Sequence, residues 1–301
     1  MILDYIRAVT LLAALPSPGD LVELPFMRTA LIELTLLGVV GGLLGAWIVL
    51  RRLAFFAHAV GTATFPGLVV ADATGFSATL AGLAVALGYA GGVERAGRAT
   101  PADGGGDHGD VATALALVVA LALGVVLASD VFESGAAVDR LLFGTALGLG
   151  GADLLVASGA AALALVATLL LGRAWTAVAF DGRGAGALGL PLRVADLLLL
   201  GLIAVAAVAA LPAVGALLVA SLFVVPAATA RLLSRSVVGL LTISVGVAIA
   251  QGAVGLYVSL WLDVPPGPAV AVVGSSLYAL VTLTRAALGG MTAPLPIAEA
   301  S

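Results

Sequence analysis

Apolar residues run through this chain in eight or nine stretches of about 17 to 22, and the polar residues collect in the connections between them. A helix rises 1.5 Å per residue, so about 20 apolar residues cross a hydrocarbon core about 30 Å thick. On that measure the pattern predicts spans at roughly 30–50, 53–74, 76–92, 111–129, 153–172, 194–211, 213–232, 237–257 and 268–285. The least marked breaks are the Ala71 to Ser77 turn between the second and third spans and the Pro212 hinge between the sixth and seventh. The expected fold is an all-α integral membrane protein, a polytopic bundle of eight or nine transmembrane helices forming one domain over 30–287. Residues 1–29 read as an N-terminal interfacial segment, in which Tyr5 to Leu15 is too short to cross and ends at Pro16; Asp4 ahead of the single Arg7 speaks against a signal peptide. Residues 288–301 read as a cytoplasmic tail.

Composition removes the soluble alternative. With 62% hydrophobic residues, 10% charged residues and a mean hydropathy of +1.22, the chain lies far from soluble domains, which carry roughly 25% charge. Charge also orients it. Arg51, Arg52, Arg95, Arg98, Arg173, Arg183, Arg193, Arg231, Arg235 and Arg285 fall on alternate connections, leaving Arg7, Arg28 and Arg140 opposite. Cytoplasmic connections concentrate arginine, so nine spans place the N-terminus outside and the C-terminus inside. The other face holds Asp72, Asp130, Glu133, Asp139, Asp153 and Asp263.

Two missing residue types exclude whole chemistries. Without lysine there is no Walker P-loop and no Schiff base, and without cysteine there is no thiolate chemistry, iron–sulfur ligation or disulfide. With two histidines and no HExxH or GxSxG motif, hydrolysis is not expected, which leaves transport or a structural membrane role.

Small and polar residues inside the spans mark the candidate positions. Gly38 with Gly42, and Gly41 with Gly45, form two overlapping GxxxG pairs that admit another helix closely, within the subunit or at a subunit interface. His58 is the one titratable side chain placed well within a span, about 9 Å along the helix beyond Arg52, and Thr62 shares its face at i+4. A polar group at that depth faces protein or water, as a pathway residue or as a packing residue. Glu33 is expected at the interface, one turn inside its span. Gln251 and Ser221 either line a path or bond a neighbouring helix. Asp196 and Arg231 fall near inner span ends and are candidates for a pair there. Asp103, Asp107, His108 and Asp110 offer ligand atoms in a glycine-rich linker. Phe180 to Leu192 lies in an inward connection, begins with Asp181, and carries small residues at Ala185, Ala187 and Gly189 before Pro191 stops any helix. Its small face suits either docking into a cytosolic partner or an ordinary surface loop.

Three of these stretches together resemble one family, the permeases of zinc and manganese ABC uptake transporters. They are Arg51-Arg52 through Ala57-His58-Ala59, Gly61-Thr62-Ala63 and Pro66-Gly67; Val214-Gly215-Ala216-Leu217-Leu218-Val219 through Val225-Pro226-Ala227-Ala228-Thr229-Ala230-Arg231; and Phe180-Asp181 through Ala187-Leu188-Gly189-Leu190-Pro191. Weaker echoes are Leu142-Phe143-Gly144 and Asp263-Val264-Pro265-Pro266-Gly267, and the resemblance spans about residues 26–287 in the family's order.

The resemblance implies a permease subunit of an ATP-driven importer in a bacterial cytoplasmic membrane, carrying zinc, manganese or iron. It implies partners: ABC ATPase subunits that bind ATP and Mg, an extracytoplasmic substrate-binding protein, and a second permease, identical or not, with no nucleic acid involved. The chain itself would hold no cofactor and catalyse no bond chemistry. It implies that the loop at about 173–193, with Asp181, Ala185, Gly189 and Pro191, is the coupling element to the ATPase. Gly38, Gly42, Pro66, Gly67 and Pro226 are candidates for helix packing or a gate. Aligned without a gap, His58 stands where the family has its aspartate ligand and Thr62 where it has its histidine. That exchange leaves a chelated metal or another small solute as the alternative cargo, and a self-contained secondary carrier as the alternative class. A reporter fused after Arg98 or Arg193 is expected in the cytoplasm and one after Glu133 outside; Arg98 and Glu133 on one side would break the nine-span topology.

Overall fold

The computed structural model describes residues 23–99, 107–131, 140–145, 148–181 and 192–288. They form ten α-helices: α1 Pro25–Leu50, α2 Ala54–Ala63, α3 Phe65–Thr74, α4 Ala78–Ala99, α5 Asp107–Val126, α6 Gly151–Phe180, α7 Leu192–Val214, α8 Val219–Leu233, α9 Val237–Leu262 and α10 Pro266–Ala287. A π-helical turn, Leu127–Val131, extends α5. Six spans are long and apolar enough to cross a membrane: α1, the α2–α3 pair taken together, α6, α7 from Val194, α9 and α10. Two shorter apolar helices, Thr113–Ser129 and Val219–Leu233, accompany them among the described residues, a count compatible with the eight or nine spans that the hydropathy pattern predicts.

Three boundaries differ from expectation, each for a local reason. The first span starts at Pro25, which has no N–H to lose in the first turn of a helix. The second span is two helices, because Pro66 cannot donate to the turn before it; Thr64 sits between them and its hydroxyl donates to the Gly61 carbonyl. The connection expected at 173–193 is shorter, since α6 continues as helix to Phe180 and α7 begins at Leu192. The interfacial segment expected before the first span and most of the tail lie outside the described residues.

α1 lies at the centre of the bundle. It packs against α6, α7, α8 and α9, and 16 of its 26 residues are buried. Its four glycines serve two neighbours. A Cβ on Gly38 would lie 3.0 Å from the Ile249 backbone, and one on Gly42 would strike the Val245 backbone, so this pair seats α9. Gly41, 2.8 Å from the Leu222 carbonyl by the same measure, and Gly45, against the Phe223 carbonyl, seat α8. Both GxxxG pairs therefore pack within the subunit. Towards its C-terminus, Trp47 meets Trp175 of α6 edge to face at 5.4 Å, and the Trp175 indole donates to the Ala195 carbonyl of α7 at 2.9 Å.

The α1–α2 turn closes as a Schellman motif. Leu53 N–H donates to Ile48 O at 2.8 Å and Arg52 N–H to Val49 O at 3.4 Å, with Arg52 at φ 56°. Glycine is usual there; arginine accepts a conformational cost of about 1–2 kcal/mol and keeps a charge at the helix end.

At the opposite end, Arg140–Thr145 docks on the α7–α8 turn. Ala216 N–H donates to Leu141 O at 3.0 Å, Leu217 N–H to Leu142 O at 3.2 Å and Thr145 N–H to Pro212 O at 3.0 Å. Gly144 at φ 74° and Gly215 at φ 82° turn the chain there, and Gly267 leaves room for the Phe143 and Val214 carbonyls. The two weaker sequence echoes, around Gly144 and Gly267, thus meet in one junction.

Replacing Gly42 by leucine is expected to lower the melting temperature of the solubilised protein or to prevent assembly, since overpacking of this kind costs about 1–3 kcal/mol or more. Gly246→Ala in α9, where an added Cβ meets nothing within 4 Å, should leave it unchanged or raise it. Equal melting temperatures for Gly42→Leu and wild type would show that α1 and α9 do not meet at Val245.

Candidate functional site: a histidine on a broken helix

α2 carries the candidate pair, His58 and Thr62. It packs against α4, α5, α7 and α8, and its break at Thr64 is covered by α5, where Gly124 leaves room for the Phe65 ring. Gly61 approaches the Ala216 carbonyl of the α7–α8 turn, its Cβ position 3.2 Å away, which fixes the height of α2 against that turn. Phe56 stacks on Tyr89 of α4 with ring centroids 6.0 Å apart.

His58 is half-buried, and among the described residues its imidazole makes no hydrogen bond, so both ring nitrogens are uncommitted. An imidazole partly exposed on a membrane-depth surface does not face hydrocarbon without cost, and a water-lined path or a second subunit are the surroundings that suit it. Thr62 is buried and its hydroxyl donates to the His58 carbonyl at 3.2 Å. The pair shares a helix face, but Thr62 has spent its proton on the backbone, and a hydroxyl is a poor ligand for zinc or manganese. No group of three His, Asp or Glu side chains able to hold a metal ion occurs among the described residues. Of this pair, His58 is the one good metal donor.

The remaining positions serve packing and the ends of the bundle. Pro66 opens α3, and a Cβ on Gly67 would lie 2.8 Å from Val85 of α4. Pro226 is buried within α8. Gln251 bonds helices: its Nε2 donates to Ser221 O of α8 at 3.3 Å and to Val270 O of α10 at 3.2 Å, and Gly274 leaves space for its amide. Asp181 caps α6, while Ala185, Gly189 and Pro191 lie outside the described residues. The same holds for Asp103 and for the side chains of Asp107, His108 and Asp110.

Two readings are corrected. Asp196 pairs with Arg51 at 2.8 Å, joining the C-terminus of α1 to the first turns of α7, rather than with Arg231. Glu33 is not at an exposed interface. It is 0% exposed and turned into the bundle. Its position on the same stripe as Ala30 and Leu37 was the available signal.

At the end opposite Arg51, the ends of α3, α6 and α7 enclose a cleft of about 380 Å³ lined by Leu68, Asp72, Arg140, Thr145, Asp153 and Pro212, among others. Arg140 and Asp72 pair across it at 3.3 Å.

Comparison with known proteins follows this architecture. Residues 23–285 match the family model described as the ABC 3 transport family. The chain is 31% identical over 267 residues to the manganese transport system membrane protein MntC of Halalkalibacterium halodurans, covering 87% of this chain and 88% of that one. It is 28% identical over 265 residues to the chelated iron transport system membrane protein YfeD of Yersinia pestis, covering 86% and 85%. The solved structure of PsaBC from Streptococcus pneumoniae in complex with Fab shares the fold, with a TM-score of 0.77 at 24% identity over 93% of this chain and 95% of that chain.

Exchanging His58 for Asp and Thr62 for His together is expected to tighten Mn or Zn binding by tenfold or more over wild type, since a carboxylate and an imidazole then stand one turn apart. Metal titration of the purified single and double variants reads this directly. Equal, negligible affinity in all of them would remove metal from this helix.

Proposed function

Because the chain belongs to the ABC 3 transport family, we propose that it is the permease of an importer that moves a divalent metal, manganese, zinc or iron, inward across a bacterial cytoplasmic membrane. Substrate arrives from an extracytoplasmic binding protein, and separate ATPase subunits, holding ATP and Mg, supply the work. The observation that carries this reading is the extent of the match, which runs from just before α1 into the last turn of α10. The ten-arginine face is the cytoplasmic one, and the C-terminus lies on it. Family membership sets the self-contained secondary carrier aside.

The geometry suits a paired permease. His58 offers one imidazole per subunit on a partly exposed face, so two permeases placed face to face bring two imidazoles to one path. That is a low-coordinate way station, suited to passing an ion on rather than holding it. Coupling follows from length. α6 has 30 residues, about 45 Å, against a hydrocarbon core of about 30 Å, so its end stands off the membrane on the arginine-rich side. Asp181, Ala185, Gly189 and Pro191 follow directly and form the segment that seats in the ATPase. Closure of the two ATPases then shifts the permease pair between inward-open and outward-open populations as rigid bodies.

A second reading is favoured by one observation. Thr62 is committed to the His58 carbonyl, and among the described residues no group of three His, Asp or Glu side chains forms around the pair, so the pair offers a bare cation little charge. A chelated metal needs less from the wall, and a chelated iron transport system is among the relatives.

Copurification from the native host should bring down an ATP-binding partner, and cells expressing the complete system should accumulate radiolabelled manganese or iron. His58→Ala should lower uptake severalfold with assembly unchanged, and Gly189→Trp should free ATP hydrolysis from its dependence on the binding protein. Recovery without any ATPase would overturn the proposal. Uptake only when a chelator accompanies the metal would decide for the second reading.

A further inference from the structure

Glu33 is a carboxyl group enclosed by protein, with no group beside it among the described residues that neutralises it. It stands eight residues into α1, about 12 Å from Pro25, among buried Ala30, Leu34 and Leu37. Its side chain is 0% exposed, and neither Oε1 nor Oε2 has a hydrogen-bond partner among the described residues. The charged groups around it can be named helix by helix. α6, packed against α1, carries Asp153 in its first turn, a group of the same sign as Glu33. α9 ends in Asp263, which sits beside Phe26 and Met27 nearer the end of α1. The charges of α7 and α8 at Asp196 and Arg231 lie at the arginine-rich end, where Asp196 meets Arg51. On α1 itself the nearest charge is exposed Arg28.

An ionised carboxylate without donors in such surroundings is unfavourable, and a second carboxylate makes it more so. Something positive must therefore accompany it. A divalent ion takes about six ligands, and among the described residues no third ligand-type side chain joins the two carboxylates. Glu33 is also not among the residues lining the cleft, whereas Asp153 is. A proton needs neither space nor further ligands. Asp153 remains connected to the surface: its Oδ2 accepts the Gly150 N–H at 2.9 Å while its side chain lines the cleft.

We propose that Glu33 is a proton-binding site of this permease, held as the neutral acid in the closed bundle and exchanging its proton with the cleft by way of Asp153. Ionisation of Glu33 then requires water to enter the α1–α6 seam. A conformation that opens this seam releases a proton to the cleft side, and closure takes one back, so the conformational equilibrium depends on pH on that side.

The purified permease–ATPase complex tests this by infrared spectroscopy. A protonated-carboxyl C=O band that shifts on exchange into D2O is expected at neutral pH and should be missing from Glu33→Gln, which keeps the shape of the neutral acid. In Asp153→Asn the repelling charge is gone, so the band should disappear at a lower pH than in the wild type. Absence of the band from the wild-type complex, or its persistence in Glu33→Gln, would overturn the proposal. If Glu33→Gln does not assemble, Asp153→Asn alone decides, and an unmoved midpoint would refute the assignment.

Discussion

The closeness with which α1 meets α8 and α9 sets the whole arrangement. Lipid tails are as apolar as leucine, so helices in a bilayer gain little from burial and associate through dispersion at short range. Gly38 and Gly42 on one face and Gly41 and Gly45 on the next bring two other backbones against α1 at once. Everything further out takes its position from that three-helix contact: α10 is tied to α9 and α8 through Gln251, and α6 and α7 lie along the remaining faces of α1.

Polar contacts then act at the ends, where they are accessible. Arg51 and Asp196 clamp α1 to α7 at the arginine-rich end, and Arg140 with Asp72 fastens the Arg140–Thr145 segment to α3 at the other. Half-exposed pairs of this kind contribute at most about 1 kcal/mol each. They fix register more than they stabilise, and both join elements far apart in sequence. His58 lies between these two belts on the one span that is broken, which frees α2 from the straight path of a single helix.

Much of this was legible in the chain. The apolar runs fall on helices, six of them long enough to cross among the described residues, because backbone polar groups in lipid must be satisfied within a helix and the run length measures the crossing. The overlapping glycine pairs showed that α1 would be approached twice, though not by which helices, since that depends on contacts between residues about 200 apart. Pro66 was visible, yet the run was read as one span, because hydropathy does not register a missing N–H. Glu33 was misplaced for a related reason: its distance from the span end was counted, but its azimuth, shared with Ala30 and Leu37, decides what it faces. The Arg51–Asp196 pair could not be chosen over Arg231 from one sequence, as charge gives sign and side but no neighbour. The coupling residues beyond Asp181 rest on the resemblance and on the length of α6.

The junction between Arg140–Thr145 and the α7–α8 turn has a consequence for synthesis. The partners of this segment, Pro212, Ala216 and Leu217, are made about 70 residues later, several seconds at roughly 5–20 residues per second. In that interval Leu141 and Leu142 hold carbonyls with no partner. In hydrocarbon such groups would be costly, but this segment lies at the end of the bundle, where water serves until the later helices arrive. The glycines of α1 wait longer still, since the residues they meet in α8 and α9 follow about 180–210 positions later, but they wait in lipid and need no substitute, since an unfilled groove there simply holds an acyl chain. The parts that must wait for their partners are thus sorted by solvent, with bare backbone polar groups at the water edge and bare packing surface in the membrane, and the chain can be inserted from its N-terminus without passing through a state that the bilayer rejects.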